Sequence, residues 1–397
     1  MTAIAWPDVP PHVRTRVEHL LRDFAACSAA GRITATARIA ADYAATQHPG
    51  ADVTSAFDGR RLSTTGAAFA NGVLANALDF DDGHRLVKGH PGACVIPAAL
   101  AVAEARRASA DELRAAILTG YEVAIEAGMA LHARSADYHA SGAWGAIGAA
   151  AAGARLLGLD ETRNRHALGL AEYHAPIAPT MRSVADPAMT KDACGWGAFV
   201  GVSSALLARG GFTALRGEFS SVDIGGRWHV LDVYVKKFPC CRWSHPAIEA
   251  ALRVRADRKG IESVRVRTFA AAAALAARPP ETTEEAQNSL VWPVAVALAH
   301  GAFGVEHVLE PAFADPVARE LLARIEVDVD PELDVAFPGR RLAVVTVDGR
   351  ESGLTEAPGE PDDPAWAEIV DAKVAAAGVI DGPLALLQRE GSPSATS

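Results

Sequence analysis

Aromatic residues are scarce in this 397-residue chain, at 6%, and it has only four methionines. That argues against a thick, aromatic-rich sheet core. Alanine makes up much of the 50% hydrophobic content, which favours close-packed helices. No apolar run is both long enough and free enough of charge to span a membrane. The most apolar stretch, Trp144 to Leu159, is interrupted by glycines and Arg155, and reads as a buried helix. The opening residues lack a basic head followed by an apolar core, so no signal peptide is expected. The five cysteines (Cys27, Cys94, Cys194, Cys240, Cys241) are odd in number and show no CxxC spacing. This speaks against a disulfide framework and an iron–sulfur cluster, and it points to a reducing cytoplasm. Positive charge is in deficit, with a net charge of -10, which argues against a nucleic-acid or anionic-membrane surface.

Against this sparse background one stretch is crowded. Between Ala75 and Glu104 the chain reads ANALDFDDGHRLVKGHPGACVIPAALAVAE. Asp79, Asp81, Asp82, His84, Arg85, Lys88 and His90 fall within a dozen residues, between segments that are otherwise small and apolar. A desolvated charge without a partner costs several kcal/mol or shifts its pKa until it is neutral. Such a mixture of bases and cations beside a core therefore reads as a site that binds an anion and moves protons.

Apolar spacing and stop signals predict helices over Asp8–Arg22, Phe24–Ala30, Thr34–Ala45, Gly66–Leu78, Pro91–Arg106, Ala110–His132, Glu161–Ala175 and Cys194–Arg209, the last ending at Gly210-Gly211. Gly50–Thr65 reads as a loop, Ser135–Ser141 as a polar break and Pro176–Lys191 as irregular. Near residue 228 the texture changes. β-Branched residues predict strands at Trp228–Lys237, Ser263–Ala270, Arg324–Val329 and Leu342–Val347. Helices at His245–Ala256, Thr283–Gly301 and Asp315–Ala323 lie between them. A short helix around Lys373 closes the chain, and the tail 391–397 reads as disordered. The fold class expected is mainly α, with a smaller α+β part.

Several separated motifs, in order, resemble the MmgE/PrpD family. They are AAFANGVLANALDFDDGH, GHPGACVIPAALAVAE, HASGAWGAIGAAAAGARLLGLD, Lys191 with the helix after it, KKFPCCRWSHPAIEA, and EEAQNSLVWPVAVALAHG. The family includes 2-methylcitrate dehydratases, cis-aconitate decarboxylases and iminodisuccinate epimerase. The resemblance implies a helical domain built from residues 1–231 and 355–390, with an α+β lid at 232–354 inserted between them. It implies a homodimer acting on a small-molecule carboxylic acid, with no metal and no organic cofactor.

The resemblance also carries roles. The family's aspartate falls on Asp79, its histidines on His90 and His139, and its lysine on Lys191. Its threonine falls on Gly83, and Phe238 stands where relatives often carry tyrosine before the lid proline. Dehydration, decarboxylation and epimerisation of such acids all form or discharge a carbanion beside a carboxylate, which asks for a base near neutral pKa and for cations on the carboxylates. His90 is expected as the principal acid/base, His139 as its partner or a substrate donor, Lys191 as a carboxylate clamp, and Asp79 as the group orienting a histidine. Substrate contacts are expected from Asp82, His84, Lys88, Arg242 and His245, Arg242 for its bidentate fork. Structural readings stand beside these. Asp81 and Asp82 could brace a helix end, His139 and His245 could cap helices, Lys191 could be a surface lysine, and the DDGH…GH cluster could hold a divalent ion. A lyase is the leading expectation. An epimerase on the same scaffold and a non-catalytic carboxylate binder are the alternatives.

Overall fold

The computed structural model describes residues 4–218, 227–255, 260–275 and 277–388. The expected tail 391–397 lies outside the described residues. The chain is mainly α, with a smaller α+β part, as the composition implied. Gly142–Leu156 forms the central helix and packs against Ala110–His132, Cys194–Arg209 and Pro91–Arg106. Small residues make this approach possible. A Cβ on Gly148 would stand 2.4 Å from the Gly120 carbonyl oxygen, and one on Gly201 would stand 2.4 Å from the Ala149 Cβ. Ser109 caps Ala110–His132 in a capping box with Glu112.

Val13, Val17, Leu20 and Leu21 are buried as their spacing predicts, within one continuous helix, Pro11–Gly31. The C-terminal Trp366, Ile369, Val370 and Leu384 join the same apolar cluster as this N-terminal helix. A buried ion pair fixes that return: Lys373 Nζ lies 2.5 Å from Asp23 and donates to the Phe80 carbonyl at 2.7 Å. A second cluster gathers Phe238, Trp243, Ile248, Val266, Phe269, Trp292 and Val345. Its sheet runs in the order Ile325–Val329, Val264–Thr268, Leu342–Val347, Arg350–Glu351. Val264–Thr268 is parallel to Ile325–Val329 and antiparallel to Leu342–Val347.

Three local expectations are corrected. Gly50–Thr65 is not a plain loop, because Pro49–Thr54 pairs with Arg61–Leu62, and the Glu104 carboxylate accepts from Thr54 N–H. Trp228–Lys237 is not one strand. His229–Asp232 is a 3₁₀ turn whose His229 and Val230 N–H groups donate to the buried Glu122 carboxylate, so a side chain takes the place of a neighbouring strand. Only Val233–Tyr234 is extended, pairing with Gly83–His84. Thr283–Gly301 breaks into Thr283–Gln287 and Val291–His300. No helix among the described residues is long and apolar enough to cross a membrane.

Candidate active site

The two-residue ladder between Gly83–His84 and Val233–Tyr234 brings the crowded first motif against the segment that leads into the second apolar cluster. Between them lies a small cavity of about 60 Å³. Asp79, Lys88, His90, Lys191, Asp192, Tyr234, Lys236, Arg242 and Arg341 line it. Asp79, Lys88 and Lys191 have left-handed backbones, with φ of 50°, 48° and 42°. Held strain of this kind in non-glycine residues gathers at functional sites.

His90 stands at the centre, immediately before the helix Pro91–Arg106, with its N–H donated to Ser141 Oγ at 2.8 Å. Its Nδ1 is 2.8 Å from the Asp82 carbonyl and 3.2 Å from Asp81 Oδ2. On the cavity side its Nε2 is 3.4 Å from Asp79 Oδ1 and 3.7 Å from Asp192 Oδ2. Both ring nitrogens thus face acceptors, so the geometry calls for a proton on each. Burial opposes the charge, but Asp81 and Asp192 outweigh it and raise His90 to about 9. Burial likewise pushes Asp81 toward its neutral form. His90, Lys236 and the Asn76 amide prevail and bring it down to about 2. Burial holds Asp192 above the usual carboxylate range, against the pull of His90.

Cations surround this pole. Lys236 Nζ is 2.7 Å from Asp79 Oδ1 and donates to the Asp79 carbonyl at 2.8 Å, and the facing charges of Asp79 and Asp81 keep it protonated despite burial. Lys191 donates to the Gln287 side-chain oxygen, and Gln287 donates in turn to the Ala77 carbonyl at 3.0 Å. Asp79, His90 and Asp192 each offer a donor atom within 4.8 Å of the others, the separation a metal would need. The Lys236 ammonium already supplies positive charge against Asp79, which works against a divalent cation there.

Of the residues expected from sequence, Asp79, Lys88, His90, Lys191 and Arg242 meet at this cavity. The others do not line it. Asp82 is buried behind His90, accepting from Tyr121 OH at 2.5 Å and from Gly92 N–H at 3.1 Å, and burial raises it to about 7. His84 is fully buried with neither ring nitrogen hydrogen-bonded, and burial lowers it to about 3. His139 sits in the polar break, where its N–H donates to His132 and its carbonyl accepts from Trp144. His245 opens the helix His245–Val254 and is enclosed, 3.3 Å from Arg242 Nη1, so it braces that guanidinium.

Asp192, Tyr234, Lys236, Gln287 and Arg341 went unnoticed in the sequence. Lys236 and Asp192 each lay within or beside a recognised motif. Tyr234 lay in a stretch read only for strand character, and Arg341 stood just before another. Gly83 and Tyr234 are linked by space, since a Cβ on Gly83 would fall 2.3 Å from the Tyr234 hydroxyl.

Family models agree with the motif order. The MmgE/PrpD N-terminal domain matches residues 1–239, and the C-terminal domain matches residues 238–379. The chain belongs to the MmgE/PrpD family. Among curated relatives, this MmgE/PrpD protein is 30% identical over 307 residues to the cis-aconitate decarboxylase of Homo sapiens, a match covering 68% of this chain and 63% of the relative. It is 28% identical over 313 residues to that of Mus musculus, covering 70% and 63%. With the cis-aconitate decarboxylase of Aspergillus terreus it shares 25% identity over 281 residues, covering 62% and 57%. The match thus spans about three fifths of each relative's length.

Proposed function

We propose that this protein is a lyase that releases carbon dioxide or water from a small di- or tricarboxylic acid by acid/base catalysis without a cofactor. The observation that carries the reading is the cavity-facing imidazolium of His90, held charged between Asp81, Asp79 and Asp192. The cis-aconitate decarboxylases among its relatives support it.

In a decarboxylation, the bond between carbon and the departing carboxylate breaks and its electron pair passes into the remaining acid. His90 Nε2–H then gives its proton to the carbon that gained the pair. Lys191 and Lys236 offset the charge that develops on the retained carboxylate. In a dehydration, Asp192 takes the α-proton, and His90 gives one to the leaving hydroxyl. A carboxyl raised by burial is better matched to that exchange than an ordinary aspartate.

The working form is a homodimer in this reading. Exposed Ile39, Tyr43, Ile177, Met189 and Trp196 line an adjoining cleft, which shares Lys191 and Ser183 with the cavity, and offer an apolar face for a second copy. Light scattering after size exclusion tests this, and a monomeric mass at micromolar concentration would refute it.

The activity test is proton and carbon NMR in deuterated buffer with 2-methylcitrate, citrate, cis-aconitate and iminodisuccinate, run beside His90→Gln. Loss of carbon dioxide or water from one acid, abolished in the variant, is the expected result. α-Proton exchange or inversion without net loss would instead make the protein an epimerase. No turnover of any acid would leave a carboxylate binder.

A further inference from the structure

The cavity has a second pole that the proton chemistry does not use. Arg341 is 1% exposed, and its Nε and Nη1 have no hydrogen-bond partner. Its Nη1 is 3.6 Å from Glu360 Oε1, beyond hydrogen-bond range, while the same oxygen accepts from Arg242 Nη2 at 2.8 Å. Lys88 is 9% exposed and its Nζ also lacks a hydrogen-bond partner, resting over the Tyr138 ring. Thr180 Oγ1, another buried cavity-lining group, is unpartnered too. The Tyr234 ring lies between the two guanidiniums, 4.5 Å from Arg242 and 5.4 Å from Arg341.

Charge and geometry then disagree with an empty structural role. Two guanidiniums, Arg242 and Arg341, share one carboxylate, Glu360, which Arg242 holds at hydrogen-bond distance, and the Lys88 ammonium beside them has no hydrogen-bond partner. Buried charges of this kind persist where they are paired or await an anion. Arg341 keeps Nε–H and Nη1–H without partners, while its Nη2 donates to the Arg85 carbonyl at 3.5 Å, so the guanidinium still has N–H groups to give a carboxylate oxygen.

We propose that Arg341 and Lys88, with Thr180, form a second carboxylate subsite, so that the ligand carries a carboxylate remote from the one held beside His90. This rests on the reading that the cavity takes a di- or tricarboxylic acid, and it assigns the residues that hold the carboxylate farther from His90. Arg341 is here a specificity residue, and the subsite asks nothing of His90.

Isothermal titration with succinate and with succinamate tests it, because the two have the same length and differ only in one charged end. Wild type is expected to bind succinate tenfold to a hundredfold more tightly, the range of a charge-assisted hydrogen-bond set. In Arg341→Gln and in Lys88→Met that ratio should fall to within about threefold, with succinamate affinity little changed. Near-UV circular dichroism reports whether Arg341→Gln keeps its fold. If it does not, Lys88→Met, which removes the ammonium and keeps an unbranched side chain, carries the comparison. Equal affinities in wild type, no succinate binding by the folded wild type, or a ratio that survives both variants would overturn the subsite. Discrimination without turnover in the NMR assay would keep the subsite and remove the lyase. Turnover without discrimination would do the reverse.

Discussion

Replacing Asp81 with asparagine tests the charge state on which the proposed chemistry depends. In the folded chain burial favours a neutral His90, yet Asp81 and Asp192 raise it from 6.5 to about 9. At ~1.4 kcal/mol for each tenfold change in proton affinity, this is roughly 3 kcal/mol of preference for the imidazolium in the folded state. The folded value lies above the unfolded one. The contribution is therefore complete below about pH 6.5 and is lost as pH rises through about 9. Denaturant unfolding of the wild type should show stability falling across that window. Asp81→Asn removes a charge 3.2 Å from Nδ1 and keeps a side chain able to bond Asn76. An opposite charge at that range moves a pKa by ~1–3, so His90 should titrate at roughly 6–8 in the variant, with a flatter stability profile above pH 7. The assay is a ¹⁵N-histidine NMR titration, with the His90 signals assigned by their absence in His90→Gln. A wild-type His90 that titrates at or below 6.5, or one that Asp81→Asn leaves unmoved, would refute the reasoning.

Other perturbations follow from the packing. Lys373→Met leaves the buried Asp23 uncompensated and should cost ~3–5 kcal/mol in urea unfolding, whereas Lys373→Met with Asp23→Leu should recover most of the loss. No recovery in the double variant would mean that Lys373 matters chiefly through its bond to the Phe80 carbonyl. Gly83→Ala places a Cβ against the Tyr234 hydroxyl and should cost ~1–3 kcal/mol. Combined with Tyr234→Leu, a double-mutant cycle should show coupling above ~0.5 kcal/mol, and additivity would sink the steric link. Asp192→Asn should lower the His90 pKa in the NMR titration and slow any turnover found in the acid panel. An unchanged titration would remove Asp192 from the pair.

Much of this molecule was legible in local pattern. Pro91–Arg106, Ala110–His132 and Cys194–Arg209 form where apolar spacing predicts them, Ala110–His132 with a capping box at its start and Cys194–Arg209 with a glycine pair after its end, because such signals act within a turn or two of the chain. Leu342–Val347 was equally plain, since its β-branched run is buried on the sheet. Trp228–Lys237 was misread because its run of β-branched residues says nothing of the Glu122 carboxylate that takes its N–H groups from another helix.

The candidate site divides the same way. Composition and spacing alone concentrated Asp79, Asp81, Lys88 and His90 in one stretch, and motif order marked Lys191 and Arg242. Which groups face His90 was decided only in three dimensions. Lys236 reaches Asp79 across 157 positions, and Gln287 holds Lys191 across 96. His245, equally plausible by residue type, is turned to structural bonds instead, and His139 lies off the cavity with its Nδ1 unpartnered. Residue type determines which protons and charges a chain can offer. Burial and proximity determine which of them are desolvated together, and those are properties of the packed fold.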